Sequence, residues 1–132
     1  MDTLAIQDTL SRYCYYYDSG NLDALIKEVF TGDCVMVNPR GTYIGSAALK
    51  ANYGYILRNK RFSFHNCHNV TVRIEETERT AGLTAFFTDV LVLASGGLKA
   101  SYGSYVAKLV KSGDRWQICE MPRAWASKGF GG

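Results

Sequence analysis

A chain of 132 residues, 47% hydrophobic and 13% aromatic, has ample apolar content for the core of one domain spanning 1–132, which excludes a disordered chain. Fifteen Lys and Arg against twelve Asp and Glu leave a net charge of +3, with the basic residues scattered and the longest cluster, RNKR at 58–61, short; no nucleic-acid partner is expected. No stretch approaches the roughly 20 apolar residues of a membrane span, and the amino terminus lacks a basic segment followed by an apolar run, so no membrane partner and a cytoplasmic location are expected.

From Thr3 to Asp18 the apolar residues Leu4, Ile6, Leu10, Tyr13, Cys14 and Tyr17 recur at three- and four-residue steps, with Thr3 or Asp2 as a possible cap. This predicts an amphipathic helix that stops at Ser19-Gly20. Asn21 then caps a second short helix, LDALIKEVF, with its own stripe of Leu22, Leu25, Ile26 and Val29. DCVMVN reads as a short strand, NPRG as a turn and TYIG as its return, after which Ser46 is expected to cap a third helix through about Leu57.

From His65 the pattern changes. NVTVRIEE, AGLTAFFTDVLVLA, KASYGSYVAKLV and RWQICEM are β-rich runs separated by the turn signals EETERT, SGG and KSGD, which predicts a four-strand antiparallel meander. Helices followed by a meander make an α+β protein in which a strongly curved sheet wraps against helices and encloses a pocket. Cys14, Cys34, Cys67 and Cys119 never form a CxxC pair, so no metal site is expected, and they read as free, buried thiols, with disulfides as the alternative.

Four candidate residues stand out locally. Asp89 shares a strand face with Ala81, Leu83, Ala85, Phe87, Leu91 and Leu93; a lone carboxylate in such a row costs several kcal/mol unless paired or protonated, unless that face is the wet one. Burial would raise its pKa and make it a proton donor. Asp18 sits at a helix carboxyl end, where its charge opposes the macrodipole; the plain reading is a turn aspartate. Tyr13 and Tyr17 lie four apart on one helix face, either as hydroxyl donors or as a packing stripe.

The element order and the motif Y-D-S-x-[ND]-x-D-x-L, spelled by Tyr17 to Leu25, resemble the SnoaL-like group of the NTF2-like superfamily, with a site pattern similar to scytalone dehydratase and bile acid 7α-dehydratase. The resemblance extends over nearly the whole chain: to G-T-Y-I-G before the third helix, to His65 followed by Asn69 and V-x-I, and to K-S-G-D-R-W-Q-I. It implies a cone-shaped α+β barrel, with three amino-terminal helices packed in a strongly curved mixed or antiparallel sheet. In the dehydratases an Asp ending the first helix orients a His that acts as general base; these match Asp18 and His65. Tyr13 and Asp89 match the remaining members of a Tyr/Asp/His/Asp set. The second tyrosine of scytalone dehydratase falls near Val37, and its second histidine has no counterpart, because the chain holds only His65 and His68.

The strand pattern complicates the choice of base. Val70, Val72 and Ile74 share parity with His68, so an unbroken strand would turn His68, not His65, toward their side. Either a bulge near Asn66 to Asn69 resets the parity or the valines face an oligomer contact. A neutral histidine whose other nitrogen is held by a carboxylate is a good base near pH 7. The function expected is therefore a cofactor-independent lyase of the dehydratase type. Its substrate would be a small apolar oxygenated ring metabolite (polyketide, terpenoid or steroid-like). His65, Asp18, Tyr13 and Asp89 would be catalytic, and Tyr17, His68, Tyr105 and Phe87 would line the substrate. An isomerase or cyclase on the same site and a non-catalytic binding module are the alternatives. A homo-oligomer, dimer or trimer, is expected by the same resemblance.

Overall fold

The computed structural model describes residues 2–127, with side chains to Ala124; Met1 and residues 128–132, which the expected domain includes, lie outside the described residues. Helix α1 (Asp2–Ser19) is followed by a single α-helical turn, α2 (Leu22–Ala24), that widens into a π-helical turn (Leu25–Val29). Then come β1 (Phe30–Asn38), β2 (Gly41–Ile44), α3 (Gly45–Arg58) and four long strands, β3 (Lys60–Ile74), β4 (Thr80–Leu93), β5 (Leu98–Ser112) and β6 (Arg115–Ser127).

The six strands form one sheet in the order β2-β1-β6-β5-β4-β3. The predicted meander is present as β3 to β6, all antiparallel, while β1 joins β6 in parallel, which makes the sheet mixed. Register shifts in the β1/β6, β3/β4 and β5/β6 pairs mark where the ladders bend, as bulges do, and the result is a cone of sheet closed on one side by the helices. The deepest core is Ile6, Leu25, Met36, Leu49, Leu109 and Met121, contributed by both helical and sheet layers.

Local chemistry explains most boundaries. Gly20, at φ +76, lets α1 end in a reversed turn: its N–H donates to the Tyr17 carbonyl at 3.2 Å and the Asn21 N–H to the Tyr16 carbonyl at 2.9 Å. Asp18 is thereby one of the last helical residues, with its side chain at the rim. Asn21 caps α2 as expected, its Oδ1 accepting from the Ala24 N–H at 3.2 Å. Ser46 does not cap α3; it lies inside the first turn, and its hydroxyl donates to the Gly32 carbonyl at 3.5 Å.

The α1 stripe also differs from expectation at one end. Leu4 is 68% exposed, and Thr9 takes a buried place instead, its hydroxyl satisfied by the Trp116 carbonyl at 2.9 Å. A hydroxyl with such a partner is tolerated inside, whereas Leu4, two residues before the buried Ile6, falls on the opposite side of the helix. Among the described residues no helix is long and apolar enough to cross a membrane.

Candidate active site

The site is built where the end of α1 meets the upper half of β3. Asp18 receives three hydrogen bonds: the His65 ring at Nδ1 lies 2.8 Å from Oδ1, the His65 backbone N–H donates to Oδ2 at 2.7 Å, and the Ser63 hydroxyl donates to Oδ1 at 2.9 Å. Burial alone would raise the Asp18 carboxyl, but the His65 and Ser63 bonds outweigh it and hold the carboxyl below its ordinary value. An ionised Asp18 requires the proton on Nδ1 of the ring. Nε2 is then the nitrogen left to accept one.

His65 itself is buried, its side chain 4% exposed, against the Tyr17 ring at 4.6 Å between centroids. Directly across the β3/β4 ladder from His65 stands Asp89, whose Oδ1 lies 3.8 Å from His65 Nδ1 and accepts no hydrogen bond. The face of β4 that carries Asp89 is the inner one, with Ala81, Leu83, Ala85 and Phe87 all buried on it. Burial raises the Asp89 carboxyl, with Asp18 adding to the effect, while His65 and Lys60 oppose it. Two carboxylates flank one imidazole, and their environments push them in opposite directions.

A cavity of about 230 Å3 opens in front of this group. Tyr13, Tyr17, His65, Phe87, Asp89 and Tyr105 all line it, while Asp18 stands behind His65. Tyr13 is buried at the centre of an aromatic cluster, edge-on to Tyr53 and Tyr105, and its hydroxyl accepts from the Tyr53 hydroxyl at 3.1 Å. The Tyr13 hydroxyl also bonds that of Tyr105, so it serves a substrate oxygen by exchanging one of these partners. Burial raises the Tyr13 and Tyr53 phenols well above the ordinary tyrosine value, so they act as neutral donors.

His68 is placed elsewhere. The β3/β4 register slips between His68 and Thr71, and Asn69 adopts φ +54, so the strand carries a bulge there. Ser63, His65 and Cys67 point inward above it, and Val70, Val72 and Ile74 point inward below it. His68 falls on the outer face, exposed beside Phe86 and bonded only to Asn69, so the expectation that it lines the substrate is corrected. The cavity wall also contains Arg40, Asn52 and Tyr53, which the sequence reading did not single out. A signal existed for two of them: Asn52 and Tyr53 fall at the i+3 and i+4 positions from Leu49 on the buried face of α3.

The sequence pattern of the SnoaL-like domain matches residues 1–122. The chain belongs to the SnoaL-like domain family. Solved structures similar to this SnoaL-like chain include a candidate scytalone dehydratase from Novosphingobium aromaticivorans, with 19% identity, a TM-score of 0.85, and 98% of this chain and 85% of that one covered. A type 2 hexachlorocyclohexane dehydrochlorinase follows at 14% identity and a TM-score of 0.81, covering 98% and 86%. An NTF2-like superfamily protein from Salmonella enterica serovar Typhimurium matches at 19% identity and 0.81, covering 96% and 92%. At these identities the likeness is one of fold, an NTF2-like cone. No curated protein matches the chain significantly in sequence. Fold membership leaves the reaction to the site.

Proposed function

We propose that this SnoaL-like protein is a cofactor-independent dehydratase acting on a small cyclic β-hydroxy carbonyl compound. The observation that carries the reading is the pair of hydrogen bonds from His65 to Asp18, through ring Nδ1 and backbone N–H, which commits the imidazole to one tautomer and leaves Nε2 as a base on the cavity wall. Nε2 takes the proton from the carbon next to the carbonyl. The Tyr13 hydroxyl bonds the enolate oxygen as its charge develops. Asp89, held toward its protonated form by burial, gives its proton to the β-hydroxyl, which leaves as water as the carbon–carbon double bond forms. Elimination leaves an imidazolium at His65 and a carboxylate at Asp89, and the site resets when Nε2 gives up its new proton to water and Asp89 takes one up, with Nδ1–H kept on Asp18 throughout.

The cavity volume of about 230 Å3 lies below the roughly 300–1,000 Å3 of drug-sized sites, which favours a single substituted ring over a steroid nucleus. The reading is tested with 3-hydroxycyclohexanone as probe, following enone formation. His65→Ala should lose at least about 100-fold in kcat with folding intact. Equal activity in wild type and His65→Ala would sink it. The outer sheet face exposes Phe62, Phe64 and Phe86, which supports a homo-oligomer formed through it; light scattering of Phe64→Glu against wild type tests that assembly.

A further inference from the structure

The cavity wall also carries polar groups that this chemistry does not use. Arg40 ends the two-residue turn between β1 and β2, where Asn38 pairs with Gly41 and Asn38 Oδ1 accepts the Arg40 backbone N–H at 2.8 Å. The turn delivers its guanidinium to the cavity, and Nη2 donates to Asn52 Oδ1 at 2.8 Å. Arginine has only donors, so the Asn52 amide must present its oxygen to Arg40, and Nδ2 is thereby fixed as a donor. Asn52 is only 7% exposed and that Nδ2 has no partner among the described residues. A buried amide donor left without an acceptor is unfavourable, and a ligand oxygen would relieve it.

Arg40 is an exposed side chain, so water answers its charge until a ligand takes its place. Among the described residues no carboxylate lies within ion-pair distance of it. Its field nevertheless reaches inward: burial dominates in raising the Tyr17 and Tyr53 phenols, and Arg40 pulls both the other way. Asp89 also lines the cavity, and Asp18 stands behind His65. The cavity wall thus carries an exposed cation, Arg40, besides the carboxyl of Asp89, and an anionic group would be drawn to the first and repelled by the second.

We propose that the substrate carries a carboxylate, gripped by Arg40 and by Asn52 Nδ2, so that the enzyme acts on a small cyclic hydroxy-oxo acid. The inference rests on the dehydratase reading only for which end of the ring reacts. After its bond to Asn52 the guanidinium keeps four N–H groups, enough for a two-point grip on a carboxylate. One permanent cation on the wall matches a single negative charge, where a phosphate would ask for more. Anchored there, the ring projects toward His65 and Asp89.

The probe is cyclohexanecarboxylate, which has no hydroxyl to eliminate, compared with its methyl ester by calorimetry. Wild type should bind the acid at least about tenfold more tightly than the ester, Arg40→Gln should remove that preference, and Arg40→Lys should restore part of it. Asn52→Ala should weaken the acid more than the ester. Equal affinity for acid and ester in wild type, or a preference that survives Arg40→Gln, overturns the proposal. His65→Ala separates the two readings: a carboxylate preference alongside unchanged turnover of 3-hydroxycyclohexanone would remove the dehydratase mechanism and leave this site standing. Loss of the preference with His65-dependent turnover intact would do the reverse.

Discussion

Asp18 holds His65 twice, once through the ring and once through the backbone N–H of the same residue, at 2.8 and 2.7 Å. The two bonds fix both the rotation of the imidazole and the height of β3 against the end of α1. Asp18→Asn replaces an acceptor of three hydrogen bonds with a group that itself donates, so kcat on 3-hydroxycyclohexanone should fall by about 10³ or more while the fold is kept. Stability should report the same carboxylate. Its folded-state value is depressed, so its contribution is complete above the ordinary carboxylate value and is lost as pH falls through the lower, folded one. Urea unfolding from about pH 7 down to about pH 3 should show a steeper acid loss in wild type than in Asp18→Asn.

Asp89 should behave in the opposite sense. Its folded-state value is raised, so the folded protein binds more protons and stability declines as pH rises from the ordinary carboxylate value to the raised one. Asp89→Asn should therefore be more stable than wild type at neutral pH and lose that advantage in acid, while its elimination activity falls. Thermal unfolding at both pH values checks it; a neutral-pH destabilisation would show that the ionised carboxylate is better solvated than its orphaned Oδ1 suggests.

The tyrosine pair separates a chemical role from a packing one. Tyr13→Phe removes the hydroxyl offered to the substrate and should lower kcat by about 10²–10³ with little change in KM. Tyr53→Phe removes only the donor behind it, at 3.1 Å, and should cost about 1 kcal/mol of stability with a far smaller kinetic effect. Equal kinetic losses in the two would make the cluster a structural unit.

Cys14 and Cys67 face each other at 3.3 Å between sulfurs, one on α1 and one on β3. The Cys67 thiol is lowered by the bond it receives from Cys14, against burial, so it is the better nucleophile of the two. All four cysteines are free. Incubation with oxidised dithiothreitol should join this pair, with release of the reduced reagent. The link spans 53 residues of chain and should raise stability by up to roughly 4 kcal/mol. Intact-mass and unfolding measurements with Cys14→Ser as control check it.

His68→Ala should leave elimination activity within about twofold of wild type, as expected of an exposed side chain on the outer face. A loss as large as that of His65→Ala would mean the outer face takes part in the chemistry.

The helices, the meander and the inward face of β4 were legible in the sequence because their signals are local: a three-to-four-residue recurrence, Gly-rich turns, and alternation from Ala81 to Phe87. The pairing of Asp18 with His65 is not local, and only the resemblance suggested it. The parallel join of β1 to β6 was hidden for the same reason, since nothing in DCVMVN names its distant neighbour. Arg40 and Asn52 escaped notice because each is ordinary alone; a turn arginine and a helix asparagine acquire meaning only when folding sets them 2.8 Å apart. The parity of β3 was ambiguous because strand alternation assumes that no residue is extra.

That extra residue makes β3 two instruments joined by a slip coupling. Below it the strand is geared to the core through Val70, Val72 and Ile74; above it the opposite phase drives Ser63, His65 and Cys67 into the cavity. Deleting Asn69 would leave one half engaged and spin the other outward, so the site could be silenced without unseating the hydrophobic base. The reverse also holds: substitutions above the coupling can retune the chemistry while the foundation of the cone goes on turning in its own phase.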